Sequence, residues 1–229
     1  MTYESPRRQR ARLQAERRAA ASGVGPARPG FEVPRFPGAT GRFALFGEIM
    51  LMGLVVTVVA LPLITLPLAL AAGARHLRRY LKGEASGVRA FWDDLKAGFG
   101  GGLLVGLAML VLLAAAILSL FIAPTDLTGF GVVMTVVAWI AIAATAVIVL
   151  MLAGDWEPIT GWQGAFRRIG DRFEADPIAP AYLLFAAALV VVCFWQLGPL
   201  VIPALGVAVF LVVVLRERRE PATPTSQSE

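Results

Sequence analysis

Three long apolar stretches, Phe43–Ala74, Ala97–Gly154 and Pro177–Leu215, alternate with four segments that together hold all 21 Lys and Arg residues. The basic segments are the tail before Phe43, Arg75–Lys96, Arg167–Arg172 and Arg216–Arg219. One bilayer crossing takes about 20 residues, so each apolar stretch is too long for a single upright helix. Cationic loops stay on the cytoplasmic side. If all four basic segments lie there, each apolar stretch crosses and returns.

Turn chemistry divides each stretch. LPLITLP (Leu61–Pro67) carries two prolines, each of which removes a backbone donor and disfavours helix just before it. APTDLTG (Ala123–Gly129) and QLGP (Gln196–Pro199) interrupt the other two. The expected fold is all-α: a polytopic helix bundle of six membrane segments in three hairpins. The segments are placed at about 43–61, 64–76, 99–122, 130–153, 181–197 and 200–215. The second is short and kinked, and either spans or is re-entrant, so five or six segments span. The transmembrane domain is 39–216, with cytoplasmic loops 77–98 and 154–180. Residues 1–38, rich in Arg, Ala, Pro and Gly, and residues 217–229 read as disordered cytoplasmic tails. A four-helix alternative, with the first and third stretches each crossing once, puts two basic segments outside and breaks the orientation rule twice.

The two inner loops share a pattern. Val88, Trp92, Leu95 and Phe99 in one, and Trp162, Phe166, Ile169 and Phe173 in the other, follow i, i+4, i+7, i+11. That spacing places four apolar side chains on one helical face, and Phe91 beside Trp92 adds a further ring. Both segments read as interfacial amphipathic helices with charges opposite, Asp93, Asp94 and Arg89 in the first. Two readings stay open: an internal repeat of hairpin plus interfacial helix, or a spacing common to interfacial helices. Interfacial anchoring accounts for Trp156 and Trp162.

Composition sharpens the class. Hydrophobic residues are 57% and charged residues 16% of 229, and mean hydropathy is +0.70. These values, with the long runs, indicate an integral membrane protein. The net charge of +5 flanks apolar runs, which points to topology and lipid headgroups rather than nucleic acid. The first apolar segment is expected to serve as an uncleaved insertion signal. Cys193 alone forms no intrachain disulfide framework, and His76 is the only histidine, so no metal site and no cofactor are expected. GxxxxGK and GxGxxG are absent, and no Ser–His–Asp set lies in the membrane. The expectation is a non-enzyme.

Candidate residues are few. Glu48 is the one carboxylate inside a segment, and intramembrane carboxylates are expensive enough to suggest function. It also lies only six residues after Arg42, which is near enough to the headgroups for a structural pairing. Thr65, between Pro62 and Pro67, can supply a hydroxyl to the broken backbone. Gly98, Gly102 and Gly106, continued by Ala114, form a small-residue face for close helix packing.

The run GEIMLMGLVVTVVALPLITLPLALAAGARHLRRYLKGE, followed by VRAFWDDLKAGF, resembles the YesL-like family of bacterial membrane proteins. The shared features are the LPxxT turn (Leu61, Pro62, Thr65), Pro67 and Ala69 after it, Gly83–Glu84, and Phe91–Trp92 ahead of Phe99. The family usually has asparagine where Gly53 stands, and Gly-Pro-Ala after the threonine where this chain has Leu66-Pro67-Leu68-Ala69. The resemblance implies a bacterial cytoplasmic membrane location and an accessory role beside the permease subunits of a carbohydrate ABC transporter. The competing expectation is a small homo-oligomeric transporter or channel, with a path lined by Glu48, Thr65 and the LPLITLP break.

Overall fold

The computed structural model describes residues 42–84, 87–122 and 129–218. The two tails and the turn containing Asp126 lie outside the described residues. Among the described residues the chain is helical: α1 (Arg42–Val59), α2 (Leu66–Leu81), α3 (Val88–Ile122), α4 (Gly129–Asp155), α5 (Gly161–Ala175), α6 (Ala179–Gln196) and α7 (Val201–Glu217), with a short 3-10 turn at Gly198–Leu200. Four of these, α3, α4, α6 and the final segment Gly198–Glu217, are long and apolar enough to cross a membrane. α1 is apolar but shorter.

The proline-rich segment ends α1. Residues 60–65 form a turn, with Leu63 at φ +47, a conformation that side-chain-bearing residues rarely adopt. Thr65 Oγ1 donates to the Val59 carbonyl, one of the acceptors left over where α1 stops. α2 then starts at Leu66, with Pro67 in its first turn, where a missing N–H costs nothing. It runs past the expected end at His76 because Ala, Leu and Arg favour helix through Leu81. Gly83, at φ +70, stops it: Gly83 N–H reaches the Tyr80 carbonyl and Glu84 N–H the Arg79 carbonyl, a Schellman arrangement.

α2 is the centre of the bundle. At 16 residues it is about 24 Å long, and Pro67 through Ala74, His76, Leu77 and Leu81 are all buried. α1, α3, α4 and α7 pack around it. Its Ala- and Gly-rich middle lets their backbones come close, which strengthens dispersion contacts where lipid supplies no hydrophobic drive. α3 seats on it through glycines: a Cβ at Gly106 would lie 1.8 Å from the Ile64 carbonyl oxygen, and Gly98 and Gly102 press on Leu68. Ala114, further along α3, is exposed. α1 and α7 run antiparallel in equally close contact. A Cβ at Gly53 would lie 2.1 Å from the Ile202 carbonyl oxygen, and one at Gly206 would lie 2.3 Å from that of Ile49. No side chain larger than glycine's hydrogen fits at Gly53 without moving the α7 backbone.

The expected pair of interfacial helices is corrected in part. α5 is a separate helix, but Val88–Phe99 is not. It forms the first turns of α3, continuous for 35 residues, about 52 Å and well beyond a hydrocarbon crossing. Nothing in Ala97–Gly102 breaks it: Gly98, Gly101 and Gly102 are packed against Leu68, Trp156 and Trp162, and only Gly100 faces open space. The inward face is also rotated. Phe91, Asp94, Leu95, Gly98 and Gly102 are buried, while Val88, Trp92 and Phe99 are exposed. In α5, Trp162 and Ala165 are buried, Ile169 is half-buried, and Phe166 and Phe173 are exposed. The two segments are therefore not equivalent units of a repeat.

Gly106→Leu and Gly53→Leu force backbones apart and should cost at least the 1–3 kcal/mol typical of overpacking, about 2–12 °C of melting temperature for a chain of this size. Gly129, which has no neighbour within 4 Å among the described residues, should tolerate alanine without change. Thermal melting in one detergent reads all three variants; equal melting temperatures would mean that the two glycine contacts do not exist.

Candidate functional site

Successive residues of a helix point about 100° apart, so the last turns of α2 send Arg75, His76, Arg78, Arg79 and Lys82 to all sides. A charge taken out of water needs a partner. Each surrounding element supplies one. From α1, Glu48 Oε1 lies 2.7 Å from His76 Nε2. From α3, Asp94 accepts from Arg79 Nη2 and lies 3.4 Å from Arg75 Nε. Just after α4, Glu157 is 3.7 Å from Arg78 Nη1. From α7, Glu217 is 3.2 Å from Lys82 Nζ.

A second tier ties α4, α5 and α7 together. Arg216 donates to the Gly154 carbonyl at 2.7 Å and pairs with Glu157. Arg172 pairs with Asp155. Arg168 donates to the Asp155 carbonyl at 3.3 Å and approaches Glu157 at 4.0 Å. Beside this layer Trp156 and Trp162, centroids 6.0 Å apart, pack against Gly98, and Trp162 Nε1 donates to its carbonyl at 3.0 Å. Both indoles are buried inside the bundle, which corrects their assignment as interfacial anchors. The indole N–H finds a backbone acceptor there, so the lipid interface holds no advantage for it.

Burial raises the proton affinity of the Glu157 carboxyl, but the hydrogen bond from Arg216 and the charges of Arg216, Arg78 and Arg168 outweigh it, and its pKa falls below the usual carboxylate value. Asp94 serves two arginines and Glu157 three, so positive charge is in excess around them. A cavity of about 240 Å³ opens there, lined by Arg75, Arg78, Arg79, Lys82, Glu84 and Glu157.

The sequence-derived candidates do not form one site. Glu48 lies in the charged layer. Thr65, Pro62 and Pro67 lie at the opposite end of α2, and the Thr65 hydroxyl is engaged by Val59. Between the two ends the bundle holds a second cavity of about 240 Å³, lined by apolar residues including Leu70, Met109, Val190 and Leu205, with Thr145 donating its hydroxyl to the Ala141 carbonyl. Gly98, Gly102 and Gly106 sit in helix contacts. Among the described residues no three His, Cys, Asp or Glu side chains gather as a metal site. Asp155, Glu157 and Glu217 were not singled out from sequence, and Asp94, expected on the outward charged face of its helix, is instead buried against Arg75 and Arg79. One signal was present for Asp94: with Phe91, Leu95 and Gly98 it follows i, i+3, i+4, i+7, an inward stripe one residue away from the aromatic one.

Compared with protein-family models, with curated proteins and with solved structures, the chain matches none.

Glu157, with its lowered folded pKa, contributes stability that is complete above its ordinary value of 4.5 and is lost as pH falls through the folded value. Glu157→Gln is therefore expected to lower the melting temperature at pH 7, and the gap from wild type should close as pH drops below 4.5. A gap that stays constant over that range would show that the carboxylate's charge plays no part.

Proposed function

We propose that this chain is a multi-pass protein of the bacterial cytoplasmic membrane, without catalytic activity, that serves as an accessory or regulatory partner of a carbohydrate ABC-type transport system. In this reading α1, α2, α3, α4, α6 and α7 make six membrane segments in three hairpins, α2 being the short one. The charged layer and both termini face the cytoplasm. The ion pairs gather the cations of α2, α5 and α7 at one end of the bundle, in agreement with the rule that cations remain inside.

One observation carries the choice of a non-conducting accessory role. The charged side chains engage one another at one end, and the cavity at mid-bundle is lined by apolar groups. A transport path would need polar groups at that depth. Apolar surface is available for a partner or lipid on α4 and α6, where Trp139, Phe185, Phe194 and Trp195 are exposed. The assignment to sugar transport rests on the resemblance over Gly47–Phe99. The runner-up, a small oligomeric transporter, loses support because Glu48 and Thr65 lie at opposite ends and each already has a partner.

Single cysteines at Gly87, Gly161, Asp126 and Gly198, in a Cys193→Ser background, test the orientation. Labelling of intact cells from outside is expected at Asp126 and Gly198 only; labelling at Gly87 would overturn the six-segment layout. Purification in mild detergent tests the role. Permease subunits should accompany the chain, whereas a lone homo-oligomer stabilised by a transported solute would favour the runner-up.

A further inference from the structure

The cavity at the charged end has the composition of an anion site. Four cations line it, Arg75, Arg78, Arg79 and Lys82, against two carboxylates, Glu84 and Glu157. Glu157 is already shared with Arg216 and Arg168. Asp94, the partner of Arg75 and Arg79, is buried behind them. Arg79 meets Asp94 through Nη2, while its buried Nη1 has no hydrogen-bond partner among the described residues. Arg75 Nε lies 3.4 Å from Asp94 Oδ1. Guanidinium groups are forks that fit phosphate oxygens two at a time. At about 30 Å³ per water, a cavity of this volume holds a phosphate group together with several waters.

We propose that this cavity binds a phosphate group, with Arg75 and Arg79 as the forked donors and Arg78 and Lys82 supplying further positive charge. The site lies at the end of the bundle where helices that cross a membrane emerge among headgroup phosphates. Arg79 lines the cavity, and its buried Nη1, which has no hydrogen-bond partner among the described residues, becomes a donor to a phosphate oxygen when the side chain turns toward it. The bound anion also offsets the repulsion among Arg78, Arg168 and Arg216, which share the one carboxylate of Glu157. The inference does not depend on the transport assignment, nor on which side of the membrane the charged end faces.

Two sources share this chemistry, the headgroup of an anionic lipid and a soluble phosphate. The test uses the full-length chain in phosphate-free neutral detergent. Melting temperature is followed against added phosphatidylglycerol, against phosphatidylcholine, and against inorganic phosphate compared with chloride at equal ionic strength. Arg75→Gln removes one fork while Asp94 keeps Arg79. Arg79→Lys keeps the ion pair and removes the free nitrogen, so it remains informative if the first variant folds poorly. Arg167→Gln removes an exposed charge on α5 as the control.

Phosphatidylglycerol, inorganic phosphate, or both should raise the melting temperature in a saturable way, and the one that acts identifies the source. The apparent affinity should fall about tenfold or more in Arg75→Gln and Arg79→Lys, the loss expected for a charge-assisted hydrogen bond, and remain unchanged in Arg167→Gln. An equal response in all three variants would reduce the effect to diffuse attraction and overturn the site. So would a melting temperature unmoved by either phosphate probe.

Discussion

Enclosing α2 on every side imposes a constraint that the remaining helices must meet. Its middle, LALAAGA, is small enough for four helices to approach closely, and the packing gained there depends on that closeness. Its end, ARHLRRYLK, turns charge toward each of those helices. A bundle that buries the first part must neutralise the second. Glu48, Asp94, Glu157 and Glu217 meet that demand, one from each neighbouring element. The glycines of α1, α3 and α7 set the spacing that brings those carboxylates within reach. Packing and electrostatics are in this sense one requirement. Removing one partner of a buried pair typically costs about 3–5 kcal/mol, so the layer specifies which helices stand beside α2 as well as stabilising them.

The helices were legible in the sequence where local chemistry decides. Apolar run length, the prolines of LPLITLP and the glycine after Lys82 are read within a few residues, and α1, α4, α6 and α7 lie close to the segments expected from them. The beginning of α3 was not legible. Val88–Phe99 carries the aromatic spacing of a surface helix, but a tertiary contact, Asp94 to the arginines of α2, turns another face inward. The tryptophans illustrate the same limit. Near a predicted membrane boundary they resemble interfacial anchors, yet the space over Gly98 accepts Trp156 and that over Gly101 and Gly102 accepts Trp162. Of the charged layer only Glu48 stood out, as the one carboxylate in an apolar run; the other acids come from segments far apart in the chain, and Asp155, Glu157 and Glu217 each look like an ordinary surface residue among their sequence neighbours.

Depth separates the polar chemistry of the molecule. The proline break and Thr65 close the backbone at one end; the ion pairs and Glu48 hold the other; apolar side chains occupy the space between. The proposed accessory role rests on that division, because the space between the ends offers apolar side chains rather than polar groups to a conducted solute.

The pairing of α2 with α7 is the longest-range element of the charged layer, and its reversal tests the account most directly. Lys82→Glu and Glu217→Lys are each expected to lower the melting temperature in detergent, because each sets like charges against one another, one of them at a buried position. The double reversal should recover most of the loss, with a coupling well above the scatter between independent sites. If the two losses simply add in the double variant, α7 does not supply the counter-charge to α2, and the account of α2 as the enclosed centre fails.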